Sequence, residues 1–291
     1  MGEIFALSTA LVWAFAVILF KRSGEKIPPF ALNFFRVGVA SLLFVLTFMV
    51  MREPLWGRAP LKDYLLLVLS GFLAIAISDT LFHKCLNMVG AGINAIVDTL
   101  YSPFIVFFAF TLLGERFSFW HYAGMVVIVT GVLVTTRVDP PAGSTKRQLI
   151  VGIIWGVLSM ATLGLGIVIA KPVLDRSPVM WATAVRQIGS FLTMIPALAI
   201  PAVRREALMT FRPQRHWKFM IPATVLGSYL ALIFWIAGMK YTQAGVAAIL
   251  NQTSSIHILI FASLFLKEPF TRHKAIAAAL AVGGVLMVSF G

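Results

Sequence analysis

Charge is scarce in this 291-residue chain, and acidic charge scarcest of all: Asp and Glu number 11 against 24 Lys and Arg, and charged residues make up 12% of the sequence. With 59% hydrophobic residues and a mean hydropathy of +0.92, a soluble domain would expose far more apolar surface than water tolerates, so the solvent is lipid. Cysteine is nearly missing too. Cys85 stands alone, which excludes an intramolecular disulfide, a Cys-x-x-Cys redox pair and a zinc knuckle. Nor is there a His-Glu-x-x-His, a Gly-x-Ser-x-Gly or a recognisable pair of membrane aspartates, which argues against an intramembrane or lipid-handling enzyme. A passive channel is disfavoured because no repeated filter or charged ring is visible. No residue pattern asks for a cofactor or a metal.

What is present is apolar sequence in long blocks. They run approximately over 3–20, 29–51, 64–82, 89–113, 119–136, 149–170, 178–201, 218–239, 243–266 and 273–290, each long enough to cross about 30 Å of hydrocarbon as a helix. The first lacks a basic n-region and a small-x-small cleavage site, so it reads as a helix that stays and not as a signal peptide. The basic residues fall between the blocks. Phospholipid headgroups and the positive-inside bias account for them there, and no nucleic acid is needed as a partner. The connections are too short for a soluble catalytic domain, so any chemistry must lie within the helices.

The chain also repeats itself. At an offset of 150, Lys21 falls on Lys171, Pro28 on Pro178 and Arg36 on Arg186. From the third helix onward the offset is 153 and aligns Ala91-Gly92 with Ala244-Gly245, Glu115 with Glu268, and Gly131-Val132-Leu133 with Gly284-Val285-Leu286. The expected plan is therefore all-α: ten transmembrane helices in two five-helix repeats, 1–138 and 149–291, joined by a linker at 139–148. Five is odd, so the copies enter the membrane from opposite sides. Such inverted pairs are the architecture of many secondary transporters, which open a central cavity to either side in turn.

Leu113-Gly114-Glu115-Arg116 and Leu266-Lys267-Glu268-Pro269, the Gly-Ala-Gly and Gln-Ala-Gly starts near 90 and 243, and the arginine in each second helix together give a pattern. It resembles the drug/metabolite transporter superfamily in its bacterial EamA-type branch, over nearly the whole chain. That resemblance implies a basket of ten helices in the bacterial inner membrane, with a central cavity lined mainly by the first, third and fourth helix of each half. It also implies export or exchange of amino acids, other metabolites or toxic compounds. Members usually keep both termini in the cytoplasm. The charge count points the other way: seven Lys and Arg on the side of the termini, fifteen on the opposite side and two, Arg36 and Arg186, within the membrane.

Ionisable groups inside spans are functional candidates by default. Asp98 lies well inside the fourth helix, and its mate at the offset of 153 is Asn251. The functional reading is that Asp98 binds a proton or a cationic part of the solute, with Asn251, Gln252 and Tyr101 supplying hydrogen bonds; the alternative is a buried carboxylate satisfied by its neighbours. Asp79 and His83, four residues apart on one helical face, could relay protons, or else sit near the headgroups where charge is cheap. Arg36 and Arg186 are an anion clamp or gate, or scaffold arginines that snorkel. His257 is a solute ligand or an interhelical donor. Trp13 and Tyr101 fall deep enough to wall an aromatic or apolar solute, whereas Tyr229 and Trp235 read as belt residues. Pro103, Pro196 and Pro222 are candidate kinks. Gly152 and Gly156 form a small-xxx-small face, whereas Gly124, followed four residues on by Ile128, does not. Oligomeric state has no signature.

Overall fold

The computed structural model describes residues 2–290 except Ala142, Thr242 and Gln243; for Ile236, Met239, Lys240, 244–249, Gln252, Ser289 and Phe290 it describes the backbone only. Among the described residues there is no strand. Ten long helical segments follow one another: α1 Gly2–Gly24, α2 Pro29–Met51, α3 Leu61–Val89, α4 Ala91–Leu113, α5 Phe119–Thr135, α6 Lys146–Leu174, α7 Val179–Met194, then a short α8 Pro201–Met209, α9 at 217–241, α10 Ala244–Leu266 and α11 Arg272–Phe290. Among the described residues six regions are long and apolar enough to cross a membrane by length and composition: α1, α2, α3, α4, α6 and the Trp217–Trp235 part of α9; Phe119–Thr135 and Thr253–Leu266 are shorter apolar helices. The ten expected spans are thus not all of spanning length. At α7 the cause is Pro196, which does not kink a longer span but opens the 3-10 segment Ile195–Ala199 after the helix has stopped at Met194.

Local chemistry sets the other boundaries. Pro29 sits in the first turn of α2, where its missing N–H and fixed φ are harmless. Thr145 caps α6 by accepting from the Gln148 N–H at 3.2 Å, while Gln148 reaches back to the Thr145 N–H at 2.8 Å. The third helix runs to Val89, seven residues past the expected end: His83 is fully buried and Asp79 lines the central cavity, away from the headgroups. Lys84 lies over the Trp155 ring at 3.6 Å.

The offset read from the sequence recurs in the backbone. A π-helical turn interrupts α3 at Phe72–Ile77, and another interrupts α9 at Thr224–Leu230, two residues after Pro222. Gly114 and Lys267, 153 positions apart, both close their helices in the left-handed region at φ 69° and 56°. The next residues, Glu115 and Glu268, donate their N–H to Ala109 and Ala262, again 153 apart. Contacts between the halves come in exchanged pairs: α1 packs on α9 and α10 as α6 packs on α3 and α4, and α2 packs on α9 as α7 packs on α3.

The crossing of α5 and α11 makes this exchange visible residue by residue. A Cβ on Gly124 would lie 2.6 Å from the Gly284 carbonyl, and one on Gly284 would lie 2.7 Å from the Gly124 carbonyl. Further along, a Cβ on Gly131 would meet the Ala277 carbonyl at 2.9 Å. Gly124 and Ala277 are mates, as are Gly131 and Gly284, so α5 and α11 run antiparallel and each of the two contacts is the mate of the other. Lipid gives no hydrophobic drive between helices, so backbone approach at small residues is what holds such a crossing. Gly124 therefore belongs to a close backbone contact, against the expectation drawn from Ile128. Gly152 and Gly156 also pack closely, against Val89, Val97 and Cys85. Outward-facing Leu42, Leu46, Val126, Leu133 and Leu264 are exposed, as a lipid-facing surface requires.

Candidate functional site: a central polar cavity

Mid-chain positions of α1, α2, α3, α4, α6, α7, α9 and α10 enclose a cavity of about 310 Å³. Its lining is made largely of mated residues: Trp13 with Leu163, Arg36 with Arg186, Asp79 with Leu232, Phe82 with Trp235, Asp98 with Asn251, and Tyr101 with Ser254. Trp13, Tyr101, Asp79, Asp98, Asn251, Arg36 and Arg186, all singled out from the sequence, meet here. Trp235 joins them and is not a belt residue; its place opposite Phe82 at the offset of 153 is the signal that could have found it.

Each polar group is held differently. Asp98 opens a 3-10 turn, Asp98–Leu100, that breaks α4 just ahead of Pro103, so its side chain stands where the helix loses regular bonding. Asn94 Nδ2 donates to Asp98 Oδ2 at 3.1 Å, and Asp98 Oδ1 has no partner among the described residues. Arg36, 4% exposed, is fully engaged: its guanidinium pairs with Asp79, its Nε donates to Asn33 Oδ1 at 3.3 Å, and its charge lies 5.4 Å from the Phe20 ring. Arg186 is 6% exposed and lines the same cavity, but its Nε is unpartnered and no hydrogen bond or ion pair joins it to a described residue.

The remaining candidates lie apart. His83 is fully buried between the rings of Phe20 and Phe82, at 5.0 and 5.4 Å, with neither ring nitrogen partnered and no bond to Asp79. The expected Asp79–His83 contact is therefore not made; Asp79 turns to Arg36 instead. His257 lies outside the cavity lining, its ring 6.3 Å from Phe261. The side chain of Gln252 is outside the described residues. Tyr229 packs on Phe44 and shares a hydrogen bond with Thr47.

The two ends of the bundle differ. At one end the Glu268 carboxylate accepts from the backbone N–H groups of Ala91 at 2.7 Å and Gly92 at 3.0 Å, the first turn of α4, where a helix dipole favours an anion. Lys274 Nζ lies 3.5 Å from the same carboxylate, and Lys21 Nζ donates to the Asn87 carbonyl at 2.9 Å. Gly90, at φ 84°, clears the space: a Cβ there would fall 2.7 Å from Glu268 Oε1. Two motifs noticed separately in the sequence are thus partners across the halves. At the opposite end the Glu115 side chain has no hydrogen bond or ion pair among the described residues, and Lys171 makes a 3.3 Å contact with exposed Asp175; Gln243, the mate of Gly90, lies outside the described residues.

Apolar helices, a lipid-facing exterior and a polar cavity at the middle of the bundle define a multi-pass membrane protein that handles a small molecule. The chain belongs to the EamA-like transporter family, which matches residues 1–137 and 150–290. Among its relatives are an uncharacterized transporter of Archaeoglobus fulgidus, 22% identical over 91% of this chain and 89% of its own length, and a probable biotin transporter of Pseudomonas aeruginosa, 24% identical over 98% and 94%. One crystal structure has the same fold at a TM-score of 0.67 and 17% identity, covering 98% of this chain and 95% of that one. The chain is a membrane transporter with a small-molecule solute.

Proposed function

We propose that this transporter is a secondary carrier of the bacterial inner membrane that exports or exchanges a small organic solute by alternating access. Its ten helices then form two inverted five-helix repeats, 1–138 and 149–291, about the cavity. One observation carries the reading: mated helices cross antiparallel with exchanged contacts at Gly124–Gly284 and Gly131–Ala277, while the Glu268 side chain is seated on α4 and the Glu115 side chain has no partner among the described residues. A two-fold body with one end shut and the other free is one of two equivalent states, and swapping them carries the cavity across the membrane.

Within the cavity Asp98 takes a proton or a cationic group, since a carboxylate with a free oxygen in a membrane interior is retained for use. The charge count favours both termini outside, against the family habit; on that reading the Glu268 end faces the cytoplasm. A fusion reporter active only in the cytoplasm, joined after Gly291, is then silent; an active reporter reverses the orientation. Transport itself is tested by counterflow in proteoliposomes with a broad panel of labelled metabolites. Exchange of at least one solute is expected, with Asp98→Asn, which copies Asn251, abolishing its dependence on pH. Folded protein that exchanges none of the panel contradicts the carrier reading.

A further inference from the structure

The two arginines entered the chain as equals and have different surroundings. Every partner that holds Arg36 is replaced at the mated position around Arg186: Asp79 by Leu232, Asn33 by Thr183, and Phe20 by Ala170. Leu232 and Thr183 line the cavity beside Arg186, so the space that a carboxylate fills in the first half is open in the second. Asp79 acts on both arginines through space but is bonded only to Arg36. A guanidinium buried to 6% exposure with an unbonded Nε is expensive in a membrane interior unless an anion completes it.

We infer that Arg186 is the carboxylate-binding subsite, and that the solute supplies in the second half the anion that Asp79 supplies in the first. The planar fork of a guanidinium takes a carboxylate by two parallel N–H donations, and Trp13, Tyr101 and Trp235 wall the same cavity for an apolar or aromatic body. The solute class is thus a small organic acid carrying a compact apolar group. The inference rests on the carrier reading, because it takes the cavity as the solute site.

The test is calorimetric titration of the purified chain with matched acids and amides, phenylacetate against phenylacetamide and hexanoate against hexanamide, which differ in charge and little in shape. The acids are expected to bind about 10- to 100-fold more tightly than the amides, the range of one charge-assisted pair. Arg186→Gln is expected to bring that ratio close to one, and Arg186→Lys to keep part of it. Leu232→Asp, which installs the missing partner, is expected to remove the preference with Arg186 still in place, and Leu232→Asn, of similar size and uncharged, to retain it. Monodisperse elution and an unchanged helical spectrum certify each variant; where Leu232→Asp does not fold, the Arg186 pair and Leu232→Asn decide alone. An acid-to-amide ratio near one in the unaltered chain, absence of binding by either acid, or a preference that survives Arg186→Gln overturns the inference. Counterflow of an uncharged solute alongside any of those results leaves the carrier reading standing, whereas absence of counterflow with acid binding intact removes the carrier reading alone.

Discussion

The first half of the chain neutralises its buried arginine and the second does not. Arg36 has Asp79, Asn33 and the Phe20 ring; Arg186 has Leu232, Thr183 and Ala170 at the same places. The ends differ in the same spirit, with Glu268 seated on the first turn of α4 and Glu115 seated on nothing among the described residues. On the two-repeat reading proposed above, the halves share one frame, and the departures from equality mark where the molecule is unfinished without a ligand or is poised between states. A symmetric residue is best read as frame, and a broken symmetry as function.

The contrast can be broken most strongly at the arginines. Asp79→Leu makes the first half resemble the second and strands Arg36, so unfolding in detergent should become easier by about 3 kcal/mol, as when one partner of a buried pair is removed. Arg186→Leu strands nothing, and its melting temperature should stay level or rise while solute binding is lost. A fall in stability for Arg186→Leu equal to that of Asp79→Leu would show that Arg186 has a structural partner after all.

Next in size is the helix crossing. Gly284→Ala drives a Cβ to within 2.7 Å of the Gly124 carbonyl and should destabilise by about 1–3 kcal/mol. Gly283→Ala, one residue away, meets nothing within 4 Å and should be neutral or stabilising by about 0.5 kcal/mol, since alanine is the better helix former. Equal effects at the two positions would remove the crossing from the account. The smallest effect is at the ends. Glu268→Gln keeps the shape but weakens two charge-assisted bonds and the Lys274 contact, worth about 1–2 kcal/mol in the balance between states; Glu115→Gln should change it by less than about 0.5 kcal/mol. Hydrogen exchange at the first turn of α4 reads the difference.

Much of this frame was legible in the sequence. The apolar blocks, the shift from 150 to 153, the paired arginines and the Asp98–Asn251 match all follow from spacing and rare residue types, and the backbone repeats them at the π turns and at Gly114 and Lys267. The errors share one cause: a linear pattern does not say what faces a residue. His83 and Lys84 ended the expected third span because charge near an apolar block reads as headgroup, whereas His83 is fully buried and Lys84 lies over the Trp155 ring. Gly124 was passed over because the small-xxx-small rule looks along one helix, and its contact lies on another. Glu268 and the Gly90–Gly92 start were each seen, but their meeting crosses 176 positions of sequence. The bare surroundings of Arg186 needed the register of both halves together.

Coupling between the two ends is the centre of the account, and a distance measurement reaches it directly. Nitroxide pairs on a Cys85→Ser background at Glu25 and Phe270 report the fastened end, and pairs at their mates Asp175 and Phe117 report the loose end. Introducing Glu268→Ala should lengthen the first distance and shorten the second, because opening one face of a two-fold rocking body closes the other. Lengthening at the Glu268 end with no change at the Glu115 end would mean local fraying, and would contradict a carrier that alternates between inverted halves.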